Sequence, residues 1–243
     1  MKICLCTLMD DNFYIGFVGF WKSFIMFNKW FDHDFVVLDN GISEENKNNM
    51  LSFYDKIIFR KIKYKNYTET NFNRTHERLK ATYYTLDVFS IEEYDRIVFL
   101  DMDITVLADI KELFESKDDI RGCKAYNART DEFNDTINSG VFTINSPAIN
   151  KHIYNALLRM TRRGQSMPDQ RIINGFFSNK MQFFNKSYNV EKRMLHSVKY
   201  KKVFDNAKIL HWIASKPWEH EKPNDIERSF VELEKVWWEY YNK

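Results

Sequence analysis

The sequence is short of the residues that build stapled, fibrous or linker-rich chains. Its 243 residues include three cysteines, four prolines and seven glycines. The cysteines stand at 4, 6 and 123, an odd number with no Cys-x-x-Cys pair. That excludes a disulfide framework and offers no zinc-site spacing. Cys4 and Cys6 alternate with Ile3 and Leu5, the pattern of small core residues on a buried strand in a reducing compartment. So little glycine and proline excludes collagen-like and low-complexity chains. Long apolar runs are also lacking. The run over residues 3–9 is too short to span a membrane, is closed by Asp10-Asp11, and has no small-residue cleavage site after it. The expectation is a cytoplasmic protein with no transmembrane segment. Charge of one sign is missing as well: 36 basic and 34 acidic side chains leave a formal net charge of +2. Without a basic excess or stripe, nucleic acid is not an expected partner.

What is present is ordinary for a globular chain. Hydrophobic residues make up 44% and charged residues 29%, which excludes global disorder. The length is sufficient to bury a sizeable core without metal or disulfide. Strand candidates at 3–9, 35–38, 56–59 and 96–100 alternate with helical stretches at 13–28, 43–54 and 77–90. Ser43 is the expected cap of the second helix. Strand–helix alternation predicts βαβ units and a mostly parallel sheet. The run Arg96-Ile97-Val98-Phe99-Leu100 is continuous rather than alternating, as when both sheet faces are covered. Past residue 103 the pattern loosens. Short strands are expected at 104–107, 141–144 and 209–210. Helices are expected at 109–115, at 146–162 opened by Ser146-Pro147, at 169–178, and at 225–241. With neither repeat nor linker, residues 1–243 read as one domain.

Ligands of such sheets sit at the carboxyl ends of the strands. The residues there are Asp10-Asp11-Asn12, Asp39-Asn40 and Asp101-Met102-Asp103. Two carboxylates two apart, Asp101 and Asp103, can reach one divalent cation; the bland alternative is a solvated turn or a helix cap. Asn138-Ser139-Gly140 leads into an apolar strand and suits sugar hydroxyls with close backbone approach at the glycine; the alternative is a tight turn. Asp169-Gln170 opens a helix and either caps it or faces a cleft. His211 follows Ile209-Leu210 at a strand end, where an imidazole can complete a metal shell, and Lys216-Pro217-Trp218 brings a point charge for a diphosphate. A lone histidine is usually structural and a lone lysine solvated.

Taken in order, these motifs resemble the family 8 glycosyltransferases, those of the glycogenin type in particular. The residues that carry the resemblance are Cys6-Thr7-Leu8, Tyr14, Val98 through Asp103, Asn138 through Phe142, Asp169-Gln170, and His211 with Lys216-Pro217-Trp218. The resemblance implies a GT-A fold: a Rossmann-like, mostly parallel central sheet flanked by helices, merged with a smaller acceptor-side sheet. The nucleotide half would span about 1–107, and the acceptor half, with the C-terminal helix, about 108–243. The resemblance further implies retaining transfer of a hexose, glucose foremost, from a UDP-sugar to a glycan or protein, with α linkage and Mn²⁺ or Mg²⁺. Asp101, Asp103 and His211 would hold the metal. Thr7, Leu8, Asn12 and Tyr14 would lie by the nucleoside, with Lys80 in the place of the family's donor-binding lysine. Met102, Asn138, Ser139, Gly140 and Ala214 would line the donor site, Lys216 would bind the diphosphate, and Asp169 and Gln170 would sit at the reacting face. Either of these two as transient nucleophile, or the acceptor attacking from the leaving-group side, would retain configuration.

The chain departs from the pattern in three places. Ala214 replaces the usual glycine, the His211–Lys216 spacing is one residue shorter than in glycogenin, and residues 191–198 hold no tyrosine where glycogenin is self-modified. A separate acceptor is therefore expected, as is the absence of a synthase-binding tail. Residues 121–135 and 180–206 are the candidate acceptor-facing segments. Trp237-Trp238 and Tyr240-Tyr241 suggest a homodimer or membrane-surface contact, or simple core packing. Two other functions compete. A nucleotidyltransferase would need a glycine-rich basic loop where Met9-Asp10-Asp11-Asn12 stands. A degenerate sugar-nucleotide or glycan-binding module would have no need of Asp101, Asp103, His211 and Lys216 together.

Overall fold

The computed structural model describes residues 1–63, 81–161, 169–219 and 230–243. The larger sheet has seven strands in the order β3-β2-β1-β4-β7-β6-β8. Its strands are β1 (Ile3–Met9), β2 (Asp34–Asp39), β3 (Ile57–Lys61), β4 (Arg96–Leu100), β6 (Ile120–Asn127), β7 (Glu132–Asn145) and β8 (Met181–Phe183). β1, β2, β3 and β4 are mutually parallel, and the hairpin β6–β7 joins antiparallel to β4. A smaller sheet, β5-β10-β9, is built from β5 (Ile104–Val106), β9 (Val190–Glu191) and β10 (Ile209–His211). The mixed α/β architecture with a mostly parallel central sheet is the one expected.

The continuous apolar runs are explained by what covers them. In β1, β2 and β4 alternate residues go to opposite faces. Cys4, Cys6, Val36, Leu38, Ile97 and Phe99 pack against a 3₁₀ segment (Ala81–Ser90) and two helices, α4 (Lys151–Thr161) and α5 (Asp169–Phe177). Leu5, Phe35, Val37, Val98 and Leu100 pack against α1 (Tyr14–Phe27), whose middle, from Gly16 to Phe24, is mostly buried. All three cysteines are free and buried, as small core residues. Ser43 caps α2 (Glu44–Phe53), its hydroxyl accepting from Asn46 N–H, and Asp109 precedes the short α3 (Lys111–Glu115). A third cluster, with Val190, Met194, Leu210 and Trp212, lies between the small sheet and α6 (Val231–Tyr241), whose Trp237 is fully buried. Among the described residues no helix is long and apolar enough to cross a membrane.

Two expectations are corrected. Residues 146–150 are not helical. α4 starts at Lys151, and Asn150 caps it, its side chain accepting from His152 and Ile153 N–H at 2.9 Å; an Asx cap beside the helix wins over Ser146-Pro147. Residues 81–90 wind as a 3₁₀ helix rather than an α-helix. Residues 121–135, read from sequence only as a candidate acceptor-facing segment, form most of β6 and the start of β7. Register shifts at Gly122/Cys123 and Lys124/Tyr126 break the two-residue period that would mark a strand.

Candidate active site

Because β1, β2 and β4 run side by side in parallel, their carboxyl ends converge on one edge. A cavity of about 250 Å³ opens there. Leu8, Met9, Asp10 and Phe13 line it from β1 and the turn after it, Asn40 from β2, and Asp101, Met102 and Asp103 from β4. Ala81, Thr82 and Thr85 of the 3₁₀ segment, Ser139 of β7, Asp169 of α5 and Lys216 complete it.

β7 reaches this edge by a bulge. Cys123 pairs with Asn138 and Gly122 with Phe142, so Ser139, Gly140 and Val141 are extra on the β7 side. Bulges re-aim a strand locally, and here Gly140 C=O accepts from Asp101 N–H at 2.9 Å. The approach is close enough to demand glycine. A Cβ on Gly140 would lie 2.4 Å from His211 Cε1 and 2.6 Å from Asp101 Oδ2. Asn138 folds back on this turn, its Oδ1 accepting from Gly140 N–H at 2.9 Å and its Nδ2 donating to the buried Glu191 at 3.3 Å.

Asp101, Asp103 and His211 each offer a ligand atom, and the three atoms lie within 4.8 Å of one another. His211 Nε2 is 3.3 Å from Asp103 Oδ1 and 3.7 Å from Asp101 Oδ2. The histidine comes from β10, which pairs antiparallel with β5 just beyond the aspartates, so Ile104 faces His211. Its other nitrogen, Nδ1, is 2.8 Å from Asn189 Oδ1, an acceptor that leaves Nε2 free to face the carboxylates. Two hard oxygen donors and one imidazole suit a cation of the Mn²⁺ or Mg²⁺ type that keeps positions for water and phosphate oxygens. With the Gly140 cradle beside it, the donor set fits such an ion.

The electrostatics are those of two carboxylates sharing a small volume. Burial and the neighbouring Asp103 push Asp101 above the usual carboxylate range. Burial works against the Asp103 carboxylate too, but His211 and Lys216 outweigh it and hold Asp103 well below that range. Burial opposes protonation of His211, yet the facing Asp103 raises it above the ordinary histidine value. Lys216 Nζ is ion-paired to Asp103 and also donates to Trp212 C=O at 3.2 Å.

Asp169 starts α5 with its carboxyl buried, and burial raises its pKa against hydrogen bonds from Ser139 and Thr82. Gln170 accepts from Ser139 N–H at 3.3 Å. Asn174, which sequence reasoning overlooked, fixes this helix to β7: it accepts from Ile137 N–H at 2.7 Å and donates to Ile137 C=O at 2.8 Å.

Of the sequence-derived residues, Leu8, Asp101, Met102, Asp103, Ser139, Asp169 and Lys216 line the cavity. Asn138, Gly140, Gln170 and His211 stand directly behind it. Four described residues do not meet it. Thr7 is one residue deeper, fully buried inside the sheet. Asn12 is exposed, with its N–H on the Asp10 carboxylate. Tyr14 turns toward α2, where Asn49 bonds its hydroxyl. Ala214 lies two residues short of Lys216, in the left-handed region at φ 64°. Lys80 falls outside the described residues. Missed were Met9, Phe13, Thr82 and Thr85. Asp10 and Asn40 carried a signal, standing at strand ends. The two candidate acceptor segments meet each other: Asp131 accepts from Ser197 Oγ and Tyr126 OH, and Lys199 pairs with Glu132.

The family model described as glycosyl transferase family 8 matches residues 4–222. The chain belongs to this family. Among similar sequences, glycogenin-1 of Oryctolagus cuniculus is 27% identical over 67% of the chain and 52% of its own length. Glycogenin-1 of Caenorhabditis elegans is 29% identical over 68% of the chain and 38% of its own length. Glycosyltransferase GlyF of Streptococcus pneumoniae is 25% identical over 99% and 61%. The chain thus spans about half the length of the curated relatives it matches. Among solved structures, the galactosyltransferase LgtC with donor and acceptor sugar analogues superimposes with a TM-score of 0.73 at 19% identity, covering 98% of this chain and 95% of that one. GlyE of S. pneumoniae does so at 0.74 and 20%, covering 100% and 61%. These family 8 and GT-A relatives agree with the fold derived above.

Proposed function

We propose that the chain is a retaining glycosyltransferase that moves a hexose, glucose foremost, from a UDP-sugar to a separate glycan or protein acceptor with α linkage. The observation that carries this reading is the convergence of Asp101, Asp103 and His211 with Lys216 and Asp169 around one cavity at the β4 end. Asp101, Asp103 and His211 would hold Mn²⁺ or Mg²⁺. When bound, such an ion supplies positive charge to the diphosphate as the leaving group takes up negative charge.

The protein's own groups do the rest. The Lys216 ammonium neutralises the departing UDP as a point charge. As the anomeric C–O bond breaks, the sugar becomes oxocarbenium-like, and the Asp169 carboxyl and Gln170 amide stabilise that charge from beside it. Both are committed to Ser139, the carboxyl through the hydroxyl and the amide through the backbone N–H. That favours positioning over nucleophilic attack. The acceptor then attacks from the leaving-group side, and the departing phosphate takes its proton. Three free, buried cysteines support the cytoplasm as the working compartment.

The test is a panel of UDP-glucose, UDP-galactose, UDP-N-acetylglucosamine and UDP-xylose with Mn²⁺, scored for released UDP with and without EDTA. Slow hydrolysis of one donor, abolished by EDTA, is the expected result. Silence with every donor, and no thermal shift by UDP, would replace this reading with a binding module.

A further inference from the structure

Lys216 sits on a short loop anchored at both ends by tryptophan. The loop leaves the small sheet at fully buried Trp212, whose N–H donates to Asp103 C=O at 2.8 Å and whose indole N–H donates to Thr105 Oγ1 at 2.9 Å. It ends at Trp218, which sits edge-on to Phe13 at 6.1 Å and against Trp237 at 5.1 Å. Trp218 also occupies the space a Cβ on Gly16 would need, 2.8 Å from its Cη2. Between the anchors, Ala214 is held at φ 64°. A residue with a Cβ keeps that conformation only where its surroundings impose it.

What grips this stretch is Lys192. Only 3% of Lys192 is exposed. Its Nζ donates to Ser215 C=O at 2.5 Å and to Ser215 Oγ at 2.9 Å. Behind it stand Glu234 Oε1 of α6 at 3.8 Å and the Phe230 ring at 5.1 Å. Glu234 is buried as well, so ammonium and carboxylate fix each other in place. Among the described residues, no other side chain bonds the backbone of residues 213–215. Lys192 does not line the donor cavity.

We infer that Lys192 is a positioning residue for the donor diphosphate. It holds Ala214-Ser215 in the one conformation from which Lys216 reaches the Asp103 carboxylate, and Glu234 ties that setting to the C-terminal helix. The inference rests on the reading of Lys216 as the diphosphate ligand.

The experiment measures UDP and uridine affinity in the presence of Mn²⁺, by calorimetry, for the wild type and the double variant Lys192→Met/Glu234→Met. Replacing a buried ion pair by apolar residues of similar size commonly leaves a fold intact. UDP affinity should fall about tenfold or more, the effect of losing a charged hydrogen bond, while uridine stays within about twofold. An unchanged UDP-to-uridine ratio in the folded double variant overturns the inference, and so does an equal loss for both ligands. Should that variant not fold, Ser215→Ala removes one of the two bonds to Lys192. It should lower UDP affinity about threefold and leave uridine alone, and an unchanged ratio there is equally fatal. A wild-type chain that binds UDP no better than uridine would instead remove the diphosphate reading, so the two failures are told apart.

Discussion

Gly140 and His211 approach so closely that a methyl group on the first would overlap the ring of the second, at 2.4 Å. The bulged strand and the small sheet are therefore in contact at the very point where Asp101 and His211 face each other. Gly140→Ala is expected to destabilise the fold by about 1–3 kcal/mol, the usual cost of overpacking. It should also weaken Mn²⁺-dependent UDP binding more than uridine binding. Denaturant unfolding and calorimetry on the same preparation check both.

Asp103→Asn keeps the shape of the side chain and removes its charge. Mn²⁺-dependent UDP affinity should drop by about 100-fold or more, since even outer-shell partners of metal ligands are worth 10–100-fold. Circular dichroism should stay unchanged. Wild-type affinity in the variant would take Asp103 out of the site.

Lys216→Ala tests the point charge directly. The expected loss is about tenfold or greater for UDP, with uridine nearly unaffected. Equal losses for both would place Lys216 away from the diphosphate.

Ala214 stands at φ 64°, where an L side chain is strained. Relief of about 1–2 kcal/mol from the left-handed strain, set against the extra unfolded-state freedom of glycine, leaves Ala214→Gly about 0.5–1 kcal/mol more stable. Chemical denaturation at constant m-value measures it. A destabilised variant would mean the Cβ packs usefully.

Asp131, at φ 53°, accepts from Ser197 Oγ, which lowers its pKa most, and then from Tyr126 OH and the Lys199 and Val198 N–H groups. A carboxyl depressed by folding adds stability above its unfolded pKa, near 3.9, and loses it as pH falls further. Asp131→Asn should therefore lower the melting temperature at pH 7 and flatten its fall below about pH 4, so that variant and wild type converge at low pH. Parallel melting curves across that window would contradict the assignment.

The parallel half of the fold was legible because β1, β2 and β4 are covered on both faces, which leaves uninterrupted apolar runs. β6 and the part of β7 before Val141 were hidden because two register shifts break their alternation. Helix α4 was placed too early because Ser146-Pro147 and Asn150 are both sound start signals, and only packing chooses between them. In the site, Asp101, Asp103 and His211 were readable as polar residues closing apolar strands. Glu191 and Asn174 were not. Their roles come from pairings across long stretches of chain, β9 on β10 and α5 on β7, that no local pattern announces.

Trp218 lies two residues beyond Lys216 and packs on Trp237, an indole pair 5.1 Å apart. A shift of Lys216 toward a ligand is expected to disturb that pair. The tilted indole pair makes tryptophan emission an expected optical reporter of occupancy in the donor cavity, readable without any attached dye.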